Sequence, residues 1–478
     1  MVMLQEKAAN KPLVLDVDGT LLRTDLLFET FWLALGQNPW TCFKTCLFNL
    51  ARPAKLKQEL ANLVDLRTDL LPVNPQVKDL LESAKRQGRD VVLASGSDYT
   101  LVSRLAKDHG IDMPVIASDG SVNLTGQKKA DALRGIYGES GFDYAGDSVV
   151  DLPVWIAADS AIIVGRRPGV ARQLAAQSRN VTEINGGWHW RHLIKGLRPH
   201  QWVKNVLLVL PLIAAHRFDM AGLTLVAMGM LAYSLAASSI YIVNDLLDLE
   251  ADRLHKTKCN RPFASGKVPI SVGMITSLVV GGLSLGIAAF ISLAMLWVVA
   301  LYMALSLAYS LRFKRMRWVD IAALASLYTL RVVAGAIAAD VVASGFLIAF
   351  IFPMFFTLGC VKRLTELTLA TSDERLPGRG YGRPDRGDLL NVAGLGAAGA
   401  LLIFFLYSNS AAAAVLYPTT WELKLALIPI AGWLLRMVLL GWNGKQDYDP
   451  IVFAMRDRYG LSMIMVTLTI MFHAATLI

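Results

Sequence analysis

Cysteine and charge are both scarce in this chain. Four cysteines, Cys42, Cys46, Cys259 and Cys360, are scattered over 478 residues. Cys42 and Cys46 stand one helical turn apart with no second pair and no nearby histidine, which excludes a zinc site and points to free thiols. Only 18% of residues are charged while 54% are hydrophobic, which excludes a disordered chain and an ordinary soluble enzyme. The opening MVMLQEKAANKPLVLDVDGT has no apolar core of signal-peptide type, so the first domain is expected in the cytosol. No groove-reading motif accompanies the net charge of +9, which excludes nucleic acid as a partner. Basic loops at a membrane and anionic substrates account for the charge instead.

The chain is too long for one core, and its composition changes along it. Residues 1–170 read as a soluble α/β domain, 171–200 as a linker and 201–478 as a membrane domain. Strand-like runs fall at Leu13–Leu15, Asp90–Ser95, Pro114–Ser118, Phe142–Ala145 and Ala161–Val164. Helical segments such as Tyr99–His109 and Lys128–Tyr137 lie between them, and residues 25–72 are mainly helical in pattern. That alternation predicts a parallel sheet with helices on both faces and ligands at the carboxyl ends of its strands. The basic, Trp-rich GGWHWRHLIKGLRPHQW suits a headgroup surface.

About nine apolar spans follow, from Val203–Ala215 to Leu461–Ile478. Loops 244–268, 312–318, 360–389 and 441–460 carry most of the lysine and arginine, whereas the intervening loops hold little more than Arg217 and Lys424. The positive-inside rule then predicts an integral protein of the cell membrane with its acidic clusters on the cytosolic face.

Chemistry in the first domain begins at Asp16-Val17-Asp18-Gly19-Thr20, which follows a strand. Two carboxylates on a glycine turn can supply a nucleophile and a proton donor. Ser95 ends the next apolar strand, where a hydroxyl can hold a phosphoryl oxygen. Lys129 opens a helix and can neutralise developing charge. Asp147 and Asp151 follow another strand and suit Mg²⁺. These motifs, over residues 11–165, resemble the haloacid dehalogenase (HAD) phosphatases. The resemblance implies Asp16 as nucleophile, Asp18 as general acid and base, and Ser95 and Lys129 as phosphoryl stabilisers, with Lys128 the alternative to Lys129. It implies a Mg²⁺ site among Asp16, Asp18, Asp147 and Asp151, and a small helical cap over 25–72.

In the membrane half the string NDLLDLEAD places Asp245, Asp248 and Asp252 at i, i+3 and i+7, one face of a helix, with Asn244 a turn before Asp248. Such a row binds Mg²⁺, and Mg²⁺ binds diphosphate. Arg253, Lys258 and Arg261 follow as phosphate-binding cations. Tyr309, Lys314, Asp320 and Arg331 form a second cluster, in which Asp320 is expected to ligate a further cation. Lys362-Arg363-Leu364-Thr365-Glu366 with Tyr381, and Asp447-Tyr448-Asp449-Pro450 with Asp457, each read alone as solvated loops. Together they add both charge signs at the same membrane face. Lys204 and Lys362 are placed to hold a lipid phosphate.

NDLLDLEAD, DRLHKTKCNRP and YSLRFKRMRWVD make residues 195–478 resemble the UbiA-type prenyltransferases. LRPHQWVKNVLLVLP, LRVVAGAIA and GCVKRLTEL are similar to the decaprenyl-phosphate phosphoribosyltransferase branch, although Lys256 stands where that pattern has proline. The branch implies 5-phosphoribosyl diphosphate (PRPP) as donor and a polyprenyl phosphate as acceptor. The joint expectation is phosphoribosyl transfer followed by removal of the 5-phosphate, in a chain whose self-association is left open. The alternative is prenyl transfer from a polyprenyl diphosphate to an aromatic or lipid acceptor. A third reading, a binding protein with two inactive enzyme folds, has the complete acidic motifs against it.

Overall fold

The computed structural model describes residues 11–177, 179–376, 379–446 and 449–477. They form two compact units, one of the described residues up to 197 together with 242–276 and the other of residues 198–241 together with the described residues from 277 onward. Strands β1 (Leu13–Leu15), β2 (Val91–Asp98), β3 (Ile116–Ser118), β4 (Asp143–Gly146), β5 (Ser160–Val164) and β6 (Asn180–Ile184) make one parallel sheet in the order β3-β2-β1-β4-β5-β6. Its strands are short apolar runs because both faces are covered. Leu13 and Leu15 face one core with Val91, Leu93 and Leu105, while Val14 faces the other with Tyr144 and Trp155. The order reverses between β1 and β4, which opens a crevice at their carboxyl ends.

Five of the six strands fall where the hydrophobic runs predict. β6 was expected to be part of the linker. It is an edge strand, half exposed, and its NVTEI carries too little apolar signal to stand out.

The helices of the first region are α1 (Leu26–Gln37), α2 (Pro39–Asn49), α3 (Pro53–Leu63), α4 (Pro75–Arg86), α5 (Tyr99–Asp108), α6 (Gln127–Tyr137), α7 (Leu152–Ala157), α8 (Pro168–Ala176) and α9 (Trp190–Leu197). α1 to α3 are the expected helical insertion. α10 (Leu210–Ala214), α11 (Met220–Leu247), α12 (Leu249–Leu254), α13 (Ile270–Ile291), α14 (Leu293–Leu311), α15 (Val319–Ala338), α16 (Gly345–Thr368) and α17 (Arg386–Ser408) follow. The chain continues through α18 (Ala411–Leu416), α19 (Thr420–Leu425), α20 (Leu427–Trp442), α21 (Pro450–Ala454) and α22 (Arg458–Ala474).

Among the described residues, seven helices are long and apolar enough to cross a membrane, not nine. The first expected span folds as a 3₁₀ run, Pro199–Val209, followed by the five-residue α10. Pro211 at the start of α10 is tolerated there, but the break shortens the helix. The last expected span, α22, has 17 residues, the short end of spanning length.

The first unit reaches into the membrane half of the sequence. Trp32 on α1 packs with Ile242 and Leu246 at the end of α11, with Leu249 of α12 and with Phe263. Inside the unit Glu29 of α1 receives a two-pronged bond from Arg253, at 2.5 and 3.0 Å. Thr24 adds a 2.6 Å bond to the same carboxylate. Gly266, at φ +64°, lies so close to Arg23 that a Cβ there would stand 2.6 Å from the Arg23 Cβ. Glu29 and Arg253 are nearly out of water, at 2% and 7% side-chain exposure, so neither charge is tolerated alone. Glu29→Gln is therefore expected to destabilise the first unit by about 3–5 kcal/mol. The measurement is the thermal unfolding midpoint of the purified full chain, and an unchanged midpoint would refute a structural role for the pair.

Candidate active sites

Asp16 follows β1 directly, and its backbone N–H donates to the Ala145 carbonyl of β4. This seats it at the point where the strand order reverses. The chain then turns sharply through Val17–Leu21, with Gly19 at φ +76°. A Cβ on Gly19 would meet the Asp147 carboxylate at 2.5 Å, so the turn needs glycine for both its backbone and its neighbour.

Lys129, from the first turn of α6, extends its ammonium to Asp16 Oδ1 at 2.8 Å, to Asp151 Oδ1 at 3.1 Å and to the Tyr144 hydroxyl at 3.0 Å. Burial lowers the Lys129 pKa, but the Asp16 and Asp151 charges outweigh that and the net shift is upward. Lys129 is thus a fixed cation. For Asp16, burial raises the pKa while Lys129 opposes it. Carboxylate oxygens of Asp16, Asp147 and Asp151 lie within 4.8 Å of one another. All three are hard oxygen donors with a second oxygen each, a set that fits Mg²⁺.

Asp18 is held differently. Its Oδ1 accepts from Leu26 N at 2.8 Å, and its Oδ2 accepts from the Ser95 hydroxyl at 3.1 Å and the Ser97 hydroxyl at 2.6 Å. Its side chain is not in the Asp16, Asp147 and Asp151 group found among the described residues, although its charge acts on both Asp16 and Asp147. Two residues escape the sequence reading. Ser97 comes from an irregularity in β2, where the register with β3 shifts between Ser95 and Asp98. Lys57 of α3 donates to the Gly96 carbonyl at 2.6 Å and to Asn123 at 3.0 Å, closing the insertion over β2. Ser97 lies two residues from Ser95 and was legible in principle, whereas nothing local marks Lys57.

Asp25 caps α1 through the N–H groups of Leu27 and Phe28. Burial, and then the Asp18 charge, push its carboxyl up to about 7. Asp147 rises to about 6 through burial and then the Asp151 charge.

The acidic string of the membrane half begins at the end of α11 and passes a break at Asp248 into α12. The row is therefore not one unbroken helix face. Arg261 Nη1 gathers two of its members, Asp245 at 3.1 Å and Asp252 at 2.7 Å. Burial raises the Asp252 pKa and Arg261 opposes it. Asp248 does not join a close three-carboxylate group among the described residues. The Asn244 Oδ1 is buried and lacks a hydrogen bond there. Arg253, expected to bind phosphate, is committed to Glu29 and the Ala264 carbonyl. Lys258 stays exposed.

In the second unit, Asp320 is expected to ligate a cation but is instead the counter-ion of Arg363. Arg363 Nε donates to Asp320 Oδ2 at 2.5 Å and its Nη2 to Oδ1 at 2.8 Å, while the Tyr309 hydroxyl donates to Oδ1 at 2.8 Å. Both groups have no exposed side-chain surface, so the solvated-loop reading of Lys362–Glu366 is also corrected. Lys362 is half-buried on α16. Arg331, expected to bind substrate, is consumed by Asn205 at 3.0 Å, the Leu327 carbonyl at 2.6 Å and the Tyr302 hydroxyl at 3.0 Å. A buried guanidinium requires such partners. Lys204 pairs with Asp449. Lys314 lies in the short 3₁₀ turn Phe313–Arg315, and Asp447 and Tyr448 lie outside the described residues.

Among the described residues, seven helices of spanning length, with buried carboxylate–arginine pairs on and between them, define a polytopic integral membrane protein. Residues 206–457 match the model of the UbiA prenyltransferase family, and the chain belongs to it. It is 34% identical over 458 residues to the uncharacterized protein y4nM of Sinorhizobium fredii, covering 94% of this chain and 88% of that one. It is 38% identical over 184 residues to a decaprenyl-phosphate phosphoribosyltransferase of Mycobacterium tuberculosis, covering 37% of this chain and 61% of that enzyme. Among solved structures it is similar to a UbiA homolog from Archaeoglobus fulgidus bound to GPP and Mg²⁺, at a TM-score of 0.46 and 17% identity over 60% of this chain and 99% of that one.

A cation held by Asp147 competes with the proton that its raised pKa favours. Mg²⁺ affinity of the first site is expected to fall as the pH drops through about 6, where protons claim Asp147 and add to the protonation that burial favours at Asp16. Titration of Mn²⁺ as a paramagnetic stand-in, between pH 5 and 8, checks the sign. Affinity rising on acidification would exclude Asp147 as a ligand.

Proposed function

We propose that the chain is a bifunctional membrane enzyme. It transfers 5-phosphoribose from PRPP to a polyprenyl phosphate, and its α/β domain, of the HAD type, then removes the 5-phosphate of the product. The observation that carries the second activity is the Asp16, Asp147 and Asp151 group with Lys129 fixed between two of its members. Family membership and the 38% identity to the phosphoribosyltransferase support the first.

In the hydrolytic step the Asp16 carboxylate attacks phosphorus and the ester P–O bond breaks. Asp18 gives the departing sugar oxygen its proton. Water then attacks the aspartyl-phosphate, its proton passes to Asp18, and inorganic phosphate and Asp16 are released. Lys129 supplies positive charge beside the reacting oxygens, and Ser95 and Ser97 orient Asp18. A bound Mg²⁺, held by Asp16, Asp147 and Asp151, would neutralise phosphoryl oxygens.

For the transfer, Asp245, Asp248 and Asp252 are the carboxylates for the cation that carries the leaving diphosphate, with Arg261 holding two of them together. The acceptor phosphate is already an anion and needs no strong base. Within the second unit a cavity of about 400 Å³, lined by Leu207, Leu210, Leu347, Phe350, Met354 and Trp433, suits a polyprenyl chain. Having the acidic string and the α/β domain in one compact unit supports successive reactions on a lipid confined to the bilayer plane.

Mass spectrometry of lipids formed from PRPP and polyprenyl phosphate tests both steps. The wild type is expected to yield ribosyl lipid and inorganic phosphate. Asp16→Asn should accumulate the phosphoribosyl lipid, with phosphate release down by a factor on the order of 10³. Asp245→Ala with Asp248→Ala should abolish ribosylation. Labelled prenyl transfer from a polyprenyl diphosphate, without ribosylation, would establish the alternative that the family name favours.

A further inference from the structure

α2 carries an apolar face that stays exposed among the described residues. Trp40, Phe43, Leu47, Phe48 and Leu50 are 66%, 57%, 61%, 78% and 76% exposed. At 100° per residue they fall within less than half the helix circumference, and Cys42, on the other side, is fully buried against Ala34 and Leu60. Trp40 and Phe43 stack, and Lys44 sits 5.2 Å over the Trp40 ring. Lys44 falls within the same arc, between Trp40 and Phe48, and aromatic rings with a lysine whose long stem lets its charge reach the headgroups are the side chains that a membrane interface selects.

The surrounding charge has one sign. Between Asn38 and Gln58 there are Lys44, Arg52, Lys55 and Lys57 and no acidic residue, and the first three of these cations are exposed. The place in the fold agrees. α2 packs on α1, and α1 packs on residues 242–274, where α11 ends and α13 begins. Both of those helices are of spanning length. Leu193 and Leu197 of α9 join the same cluster, while Trp188 and Trp190 stay exposed.

We propose that α2 is a bilayer-docking helix. It lies at the headgroup–acyl boundary of an anionic membrane, with Trp40, Phe43, Leu47, Phe48 and Leu50 in the acyl region and Lys44, Arg52 and Lys55 among the phosphates. The insertion that closes over β2 is thereby held at the surface where a lipid headgroup is presented. The proposal stands whether or not the chain hydrolyses phosphate.

The test uses the full chain, with Cys46→Ser and Cys259→Ser, in nanodiscs of phosphatidylcholine and phosphatidylglycerol. Single nitroxides are placed by Phe43→Cys, Leu47→Cys and Phe48→Cys. Collision with oxygen is expected to exceed collision with a water-soluble nickel chelate several-fold at each position, at a depth calibrated with spin-labelled lipids. Nickel-dominated collision overturns the proposal, as does spin–spin broadening that shows a second copy on this face. A benzophenone amino acid at position 48, which keeps the aromatic ring, gives an independent readout. A phospholipid adduct on that peptide is expected, and an adduct to another polypeptide overturns the assignment.

Discussion

A charge withdrawn from water must find a partner of opposite sign, and much of this chain is arranged by that requirement. Lys129 stands between Asp16 and Asp151. Arg253 closes on Glu29, Arg261 on Asp245 and Asp252, and Arg363 on Asp320. Lys129 and Arg253 are drawn to partners more than 100 residues away, whereas Arg261 closes on carboxylates within one short stretch of chain, and in each case the elements that bear the pair are held together. The candidate sites are the places where this pairing leaves carboxylate oxygens over.

The same rule separates groups that can meet a substrate from groups already spent. Arg253, Arg331 and Asp320 are the residue types that bind phosphate or metal. Buried against Glu29, Asn205 and Arg363, they hold the fold instead. Asp147 is of the opposite kind. It lies close to Asp16 and Asp151, Arg167 bonds its backbone carbonyl, and burial first and the Asp151 charge second raise its pKa. An acidic group of this kind is what an incoming divalent ion would stabilise.

The turn after β1 links the two themes of the first unit. Asp18 accepts the Leu26 N–H at the start of α1, α1 carries Glu29, and Glu29 holds the arginine that follows Asp252. The loop bearing the expected nucleophile and the acidic string from the membrane half therefore share one helix as support. Trp32 on that helix packs against Leu246 and Leu249 within the string itself.

Local pattern was enough for the parallel α/β sheet, because each of its strands but the edge strand β6 is an apolar run closed by turn residues. The same local pattern made Asp16, Asp147 and Lys129 visible as candidates, since the first two directly follow strands and the third stands in the first turn of α6, whereas Ser95 lies inside β2 and Asp151 in a 3₁₀ turn. The hydropathy of the second half announced a membrane protein for the same reason. Tertiary structure alone decided which charges were paired off. It brought Glu29 to Arg253 across more than 200 residues, drew Lys57 onto β2, and assigned residues 242–276 to the first unit. It also folded Pro199–Ala214 into 3₁₀ turns and a short helix rather than a full span. These outcomes depend on desolvation and on partners distant in sequence, and neither quantity is carried by a residue's immediate neighbours.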